Sequence, residues 1–400
     1  MTGAITDAVT DPVTGAGAGA VATQLSSEER RARVALNWLA EPGDPRVAAL
    51  VEELGAVRVH AHLLAERDVE GLHTDLALRL EGFDVDEHLA RAEAVGARFV
   101  VPGDDEWPPR LDALAGAGVL NERGGVPLGL WVRGPLRLDC GGPAVGVVGS
   151  RSATSYGSQV AAELGHTLGG AGVAVVSGAA LGIDQAAHRG ALAADGQTVA
   201  VLACGVDRVY PAANRALVEH MAEHGAIVSE AAPGREPTRI RFLSRNRLIA
   251  ALSDATVVVE AALRSGALST ATWCERVNRP LLGVPGPVTS AASQGVHERI
   301  RLGRAHLVTC GEDVLEYVGR PGEHLVDLRR GEDRPRDRLP LRQRQVLEAF
   351  AADEGMAADE VARGAGIGLR EVQGALLRLQ AHGWVVHTEE GWRLGRVGDS

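Results

Sequence analysis

Small residues recur in this sequence directly after short aliphatic runs. Three of these runs, residues 145–148, 173–176 and 256–259, lead into turns that are rich in glycine, serine and threonine. A turn without bulky side chains lets a ligand reach backbone N–H groups, and the start of a following helix favours a phosphate. The turns therefore predict a phosphate-binding crevice, although a single glycine also permits any tight turn. The residues concerned are Gly149, Ser150, Arg151, Thr154, Gly157, Ser177, Gly178, Gly182, Ser265, Gly266 and Thr270.

A run of arginines surrounds an aromatic residue further along the chain. Five arginines within residues 235–247 are opposed by a single acidic residue, Glu236. Guanidinium groups bind successive phosphates, and the face of Phe242 offers a surface on which a base stacks. The run predicts binding of a single nucleic-acid strand, whose bases are free. The alternative is a solvated helix start with a core phenylalanine. The run consists of Arg235, Arg239, Arg241, Arg245 and Arg247, with Asn246 between the last two.

Possible acid–base groups lie beside the glycine-rich turns. Asp184 and His188 are four residues apart, so they would share one face of a helix. We interpret them as a helix cap and a structural histidine, with a catalytic pair as the alternative. Glu260 is either a general base or a cap of the next segment. A P-loop is excluded because the sequence has no lysine, and no GxGxxG fingerprint follows the first aliphatic run.

Six short aliphatic runs alternate with helical segments between residues 144 and 310. Such runs are too short for helices and suit strands that are buried on both faces, as in a parallel sheet. The alternation predicts an α/β fold with an extended Rossmann-like, doubly wound, mainly parallel sheet. Ligands bind such sheets at the carboxyl ends of the strands, where the glycine-rich turns lie. The predicted strands are residues 145–148, 173–176, 199–202, 226–228, 256–259 and 281–284.

The whole chain divides into five segments by composition and periodicity. Residues 1–26 lack any period and are predicted to be a disordered tail, whereas residues 27–95 carry a helical period. The sheet domain is predicted over residues 96–318 and a charged linker over 319–340. Residues 341–395 show three helical patterns and then a hairpin, the order of a winged helix. The third of these helices has few basic residues, which favours a partner-binding or weak duplex-binding role.

Composition limits the possible partners. The net charge of −11 excludes a wholly basic nucleic-acid binder. Salt screens charges beyond roughly 8–10 Å, however, so a local cluster of arginines still acts as a cationic patch. The four cysteines form no CxxC pair, so no metal site is expected. Neither a secretory signal nor an apolar stretch of about 20 residues is present. We predict a cytoplasmic protein without a membrane segment or cofactor.

A set of short motifs runs almost continuously from residue 144 to 310. They include VVGSR at 147–151, TSYG at 154–157, SG at 177–178, GID at 182–184, GVDRVYP at 205–211, RNRLI at 245–249 and SGAL at 265–268. Together these motifs resemble the DNA-processing protein A family (DprA, also called Smf). Two positions depart from the family's pattern. Leu243 stands where proline is frequent, which leaves the rigidity of the pocket open, and Leu181 stands where arginine is frequent, which removes a cation.

The resemblance implies a fold and a function. It implies a Rossmann-fold domain between a sterile-alpha-motif-like helical module and a C-terminal winged helix. It also implies a homodimer, without catalytic activity, that binds single-stranded DNA in a positive pocket. Such a protein helps to load the RecA recombinase on the strand during transformation or recombination. The family's DNA contacts correspond here to Arg151, Arg239, Phe242, Arg245, Asn246 and Arg247.

Two other functions stay open at this point. A nucleotide-processing enzyme similar to the LOG-type phosphoribohydrolases would have a related fold, and it would need a Pro-Gly-Gly-x-Gly-Thr-like loop. The corresponding segment, residues 264–270, lacks the paired glycines. A transcription factor with a ligand-sensing Rossmann domain is the other alternative, and sequence-specific binding of duplex DNA would distinguish it.

Overall fold

A computed structural model describes residues 26–65, 83–139, 141–325, 334–350 and 355–395. The chain divides into two compact units, residues 1–326 and 327–400. The predicted disordered tail lies outside the described residues apart from Ser26, and so do residues 326–333 of the predicted linker.

Among the described residues, four helices lie at the start of the first unit, and the residues at the ends of the first two explain where those helices begin or end. Ser26 caps the first helix by accepting a hydrogen bond from the N–H of Glu29. Asp44 caps the second by accepting from the N–H of Arg46. Gly55 ends that second helix at a φ of +81°, a conformation that favours glycine. The helices are α1 (Ser27–Leu39), α2 (Pro45–Leu54), α3 (Ala56–Leu64) and α4 (Val85–Ala94).

A nine-stranded sheet forms the centre of the first unit. The strands of this unit are β1 (Ala97–Val100), β2 (Val119–Leu120), β3 (Arg123–Gly124), β4 (Leu130–Arg133), β5 (Ala144–Val148), β6 (Ala174–Ser177), β7 (Thr198–Leu202), β8 (Ala226–Ser229), β9 (Ala255–Val258), β10 (Leu281–Gly283) and β11 (His306–Leu307). The order in the sheet is β1-β4-β8-β7-β6-β5-β9-β10-β11, while β2 and β3 form a separate hairpin. Within the nine-stranded sheet, β4 pairs antiparallel with both of its neighbours, and all other neighbouring strands are parallel. All six predicted strands are present as β5 to β10.

Helices cover both faces of this sheet. They are α5 (Ser155–Gly170), α6 (Ile183–Ala193), α7 (Arg215–His224), α8 (Arg239–Leu252), α9 (Ala267–Arg276), α10 (Gln294–Arg301) and α11 (Gly311–Val318). Successive residues of a strand point to opposite faces. Val145 and Val147 accordingly pack with Leu164 of α5, whereas Val148 packs in the other layer with Leu248 of α8. The alternation confirms the predicted α/β fold class with a mainly parallel sheet. None of the described helices is long and apolar enough to cross a bilayer.

The described part of the second unit comprises three helices and an antiparallel hairpin. These are α12 (Leu341–Glu348), α13 (Ala358–Ala365), α14 (Leu369–Ala381), β12 (Val385–Thr388) and β13 (Gly391–Leu394). They enclose a small core that includes Val346, Val361, Leu376 and Leu379. The interpretation of this unit as a winged helix, and of α1 to α4 as a sterile-alpha-motif-like module, stays a prediction.

Candidate functional site

An open cavity of about 970 Å³ lies at the carboxyl ends of β5 to β9. The loops that follow these strands line it together with one side of α8. Ten of the sixteen predicted site residues are in its wall, which is the position that parallel strand topology predicts for a ligand. These ten are Gly149, Ser150, Arg151, Arg239, Phe242, Arg245, Asn246, Ser265, Gly266 and Thr270.

One face of α8 forms a wall of the cavity. Phe242, Arg245, Asn246 and Ile249 all line it. Their spacing of three, four and seven residues brings them to the same side of a helix. The Nδ2 of Asn246 donates to the carbonyl oxygen of Gly266 at 3.4 Å, which connects this face to the loop before α9. Arginines at intervening positions of α8 therefore point away from the cavity.

An aromatic group with adjacent cations lies in the cavity wall. The Cζ of Arg151 is 4.7 Å from the centre of the Phe242 ring, and the Cζ of Arg245 is 5.8 Å from it. Tyr210 approaches the same ring with centroids 5.7 Å apart and an interplanar angle of 59°. Tyr210 is 48% exposed although it is a large aromatic residue. The two rings offer flat apolar surfaces beside positive charge, an arrangement that suits an unpaired base and its phosphate.

Three arginines of the cavity wall are open to solvent. Arg151, Arg239 and Arg264 come from three different loops or helix starts, and all three are exposed. Within the described ranges, none of them forms an ion pair with a carboxylate. An exposed guanidinium without a carboxylate partner keeps its donors free for the oxygens of a phosphate. The cavity is therefore locally cationic although the chain is acidic overall.

Arg245 is a fourth cation, buried at the base of the cavity. Its Nη1 donates to the carbonyl oxygen of Val201 at 3.2 Å. Burial lowers the pKa of Arg245, and the nearby Asp184 carboxylate opposes that shift. Burial likewise raises the pKa of Asp184, which accepts from the N–H of Gly178 at 3.2 Å. Each group thus partly compensates the desolvation of the other.

The remaining arginines of the run connect α8 and the loop before it to other parts of the unit. Arg247 is fully buried, and its two Nη atoms donate to the Glu230 carboxylate at 2.6 and 2.8 Å. Arg241 forms a similar two-point ion pair with Glu41 of the N-terminal region. The Cζ of Arg235 lies 4.0 Å from the ring centre of Trp38. Arg247 was predicted to contact DNA, but the structure places it on the opposite side of α8 from the cavity, with its charge neutralised.

Five further predicted residues shape the cavity from behind its wall. Gly182 has a φ of +81°, and a Cβ there would lie 2.3 Å from the carbonyl oxygen of Ser150. The Oγ of Ser177 donates to the carbonyl oxygen of Val147 at 2.6 Å, so it holds two strands together. Thr154 caps α5 by accepting from the N–H of Gly157 at 3.1 Å. Gly178 leaves room for the guanidinium of Arg245. These residues support the loops rather than offer groups to a ligand.

Comparison with known proteins shows the family of this chain. The family model of DNA recombination-mediator protein A matches residues 98–319, which is more than half of the chain. The chain belongs to this family. A putative DNA processing protein DprA from Mycobacterium tuberculosis is 44% identical over 374 residues, 92% of this chain and 95% of the relative. Protein Smf from Escherichia coli K12 is 35% identical over 305 residues, 74% of this chain and 78% of the relative.

A solved structure extends the comparison to the fold of the family. The X-ray structure of DNA processing protein A (DprA) from Streptococcus pneumoniae superposes with a TM-score of 0.59 at 28% sequence identity. The match covers 74% of this chain and 99% of that one. The resemblance predicted from the motifs is thereby confirmed at the level of the family.

The possible acid–base groups beside the cavity, Glu260, Asp184 and His188, form hydrogen bonds that serve the structure. Glu260 accepts from the Oγ1 and the N–H of Thr154, at 2.6 and 3.0 Å, so it holds the start of α5. His188 bonds Thr198 through Nδ1 at 2.7 Å. Because the Thr198 hydroxyl already donates to the carbonyl oxygen of Val175, the Nδ1 of His188 carries the proton. No hydrogen bond between Asp184 and His188 occurs among the described residues, which agrees with a structural role for the histidine. The predicted helix cap was wrong: Gly182 precedes α6 as its N-cap, and Asp184, in the first turn, accepts instead from the N–H groups of Gly178 and Ala180 in the preceding loop.

Sequence reasoning did not select Arg264 and Tyr210 as site residues. Arg264 directly precedes Ser265 and Gly266, which were selected, and it lines the cavity as an exposed cation. Tyr210 belongs to a family motif, and it too reaches the cavity from the loop after β7. The available signal was their place in loops after parallel strands, where every loop contributes to the same crevice.

Proposed function

We propose that this protein binds single-stranded DNA in the cavity at the carboxyl ends of β5 to β9. The observation that carries the proposal is a shared cavity wall: three exposed arginines, Arg151, Arg239 and Arg264, line the same cavity as the rings of Phe242 and Tyr210. None of the three has an ion-pair partner among the described residues. Arginines supply phosphate contacts and aromatic faces supply base stacking. Bases within a duplex are already stacked on each other, so this combination favours a single strand.

We also propose that the bound strand passes to the RecA recombinase during transformation or homologous recombination. Membership of the DNA recombination-mediator protein A family supports this role. The protein is proposed to work as a cytoplasmic homodimer that catalyses no reaction, and strand binding is proposed to need no cofactor or metal. A direct test is the rate at which RecA nucleates on a strand coated with single-strand-binding protein, with and without this protein.

A phosphoribohydrolase similar to the LOG type is the alternative function. Such hydrolysis calls for a carboxylate that is free to assist at the sugar. Glu260 is 1% exposed and accepts two hydrogen bonds from Thr154, and Asp184 is 5% exposed beside Arg245. Several arginines also exceed what a single monophosphate requires. Both observations favour a strand-binding site over a nucleotide hydrolase.

Fluorescence anisotropy of a labelled oligo-dT tests the strand-binding proposal. Three phosphate contacts predict a salt slope of about −2, so raising salt from about 50 to about 200 mM should weaken binding roughly twentyfold. Arg151→Ala should weaken binding and flatten the slope. Arg137→Ala is the matched control, because it removes an exposed arginine that pairs with Asp139 away from the cavity.

Either of two results would overturn the proposal. The first is a salt response that is flat in the wild type. The second is equal binding by Arg151→Ala and wild type. Turnover of a nucleoside monophosphate would instead support the hydrolase, and preferential binding of one duplex sequence would support a transcription factor.

A further inference from the structure

The last turn of α7 carries a group of metal-ligating side chains that strand binding does not use. His220, Glu223 and His224 follow the spacing i, i+3 and i+4, which brings them to one face of a helix. One potential ligand atom from each lies within 4.8 Å of the others. Over the described part of the chain, this is the one such group of three histidine, cysteine or carboxylate side chains. All three are exposed, so an ion reaches them directly from solvent.

The hydrogen bonding of His224 leaves one ring nitrogen ready to bind a metal. Its Nδ1 lies 3.1 Å from the carbonyl oxygen of His220. A carbonyl oxygen only accepts, so the Nδ1 must carry the proton, and in the neutral ring the Nε2 keeps its lone pair. A histidine that donates through one nitrogen to a backbone carbonyl and ligates through the other is the usual arrangement at protein metal sites.

Two further features favour a cation at this place. The imidazole centroids of His220 and His224 are 4.2 Å apart, so little rearrangement is needed for both to reach one ion. His224 is also the final residue of α7, where unpaired backbone carbonyls give the helix end a partial negative charge. The site therefore combines suitable ligands with a favourable local field.

We propose that His220, Glu223 and His224 form a surface site for a divalent late transition-metal ion, with Zn²⁺ as the reference ion. Two imidazoles and a carboxylate suit zinc, copper, nickel or iron rather than calcium or magnesium, which prefer oxygen ligands. Three protein ligands from one helical turn leave coordination positions for water or for a donor from another molecule.

This site is separate from the proposed DNA cavity. α7 spans ten residues, or about 15 Å. Its last residue lies just before the start of β8, whereas the cavity is at the carboxyl end of that strand. Metal binding here should therefore leave the affinity for single-stranded DNA unchanged. The proposal of a metal site does not depend on whether the cavity binds DNA.

Titration of the full-length, tag-free protein with Zn²⁺ in competition with a chromophoric chelator tests the site. Wild type should bind one ion that His220→Ala and His224→Ala each weaken at least tenfold, and the double variant should lose it. His166→Ala is the matched control, since His166 is an exposed histidine of α5 with Glu163 three residues before it. Zn²⁺ should also raise the melting temperature of wild type and the control, but not of the double variant.

Equal Zn²⁺ affinity of wild type and the double variant would overturn the proposal. So would a loss of affinity of the same size in His166→Ala. The substitutions are at exposed helical positions where alanine is favourable, so each variant should fold, and an unchanged circular dichroism spectrum verifies this. Anisotropy with oligo-dT should give the same affinity for all of these variants.

Discussion

Gly178 packs directly against the guanidinium of Arg245. Among the described glycines, it is the one at which an added side chain would overlap that guanidinium. A Cβ at residue 178 would lie 1.2 Å from the Nη1 of Arg245 and 2.2 Å from its Cζ. The same Nη1 donates to the carbonyl oxygen of Val201. The missing side chain at residue 178 thus fixes where a buried cation lies beneath the cavity.

Gly178→Ala should displace Arg245 and weaken both folding and strand binding. Loss of the hydrogen bond to the Val201 carbonyl should lower the free energy of unfolding by about 1–3 kcal/mol. Urea denaturation measures that change, and oligo-dT anisotropy measures the affinity. Gly170→Ala is the control, because a Cβ at residue 170 of α5 would meet no atom within 4 Å.

A double-mutant cycle isolates this contact from general damage. Methionine at residue 245 lacks the terminal nitrogen that the new Cβ would overlap. Gly178→Ala should therefore reduce stability much less in an Arg245→Met background than in wild type. An equal reduction in both backgrounds would show that residue 178 acts on the backbone and not through Arg245.

The strands could be predicted from the sequence because they depend on a local pattern of apolar residues, and the position of the crevice follows from the strands. Short, continuous aliphatic runs indicate parallel strands that are buried on both faces. Parallel topology then brings the loops that follow these strands to the same edge of the sheet. Each end of the observed β5 to β10 lies within one residue of the predicted end.

The roles of the individual arginines of α8 were not predictable in the same way. Arg245 and Arg247 are the same residue type two positions apart, yet one lines the cavity and the other is buried against Glu230. Tertiary packing determines the different roles of Arg245 and Arg247. Glu230 and Glu41 lie on the side of α8 that faces the N-terminal helices, and the arginines on that side pair with them. Arg264 was not predicted because a single arginine in a loop belongs to no sequence pattern that would indicate a binding role.

Arg264→Ala should reduce single-strand affinity through the loss of one phosphate contact. The magnitude of the salt slope should fall by about 0.7, since each neutralised phosphate contributes that amount for a single strand. Anisotropy at four or more salt concentrations measures the slope. Arg137→Ala should keep the wild-type slope, and a wild-type slope in Arg264→Ala would remove this residue from the DNA path.

Phe242→Leu should weaken strand binding without changing its salt dependence. Leucine retains apolar contact but has no flat face, and loss of stacking on one base costs about 1–3 kcal/mol. Because no charge is removed, the salt slope should equal that of wild type. Tyr210→Leu should behave in the same manner, as its ring lies next to Phe242. A flatter slope in either variant would indicate that the ring acts by positioning Arg151.

Arg247→Met should destabilise the fold by leaving Glu230 as an unpaired buried charge. Removing one partner of a buried ion pair costs about 3–5 kcal/mol, and here the Glu230 carboxylate also accepts from the N–H of Gly43 at 3.1 Å. Chemical denaturation measures the change. Arg301→Ala, which breaks the exposed pair with Glu298, should have little effect. The combination Arg247→Met with Glu230→Gln should recover part of the stability, and no recovery would show that packing of Arg247 matters more than its charge.

His188 makes the stability of the first unit depend on pH. Burial lowers the pKa of His188 to about 3, from an ordinary value of 6.5. The unfolded chain therefore takes up a proton before the folded chain does, so the contribution is complete above about pH 6.5 and decreases as the pH falls below it. Between about pH 7.5 and 5 the loss should be about 2 kcal/mol. In His188→Asn, whose amide nitrogen can still donate to Thr198, this part of the pH dependence should disappear, while His166→Asn should follow wild type. Parallel stability profiles for His188→Asn and wild type would mean that His188 takes up its proton equally in the folded and unfolded states.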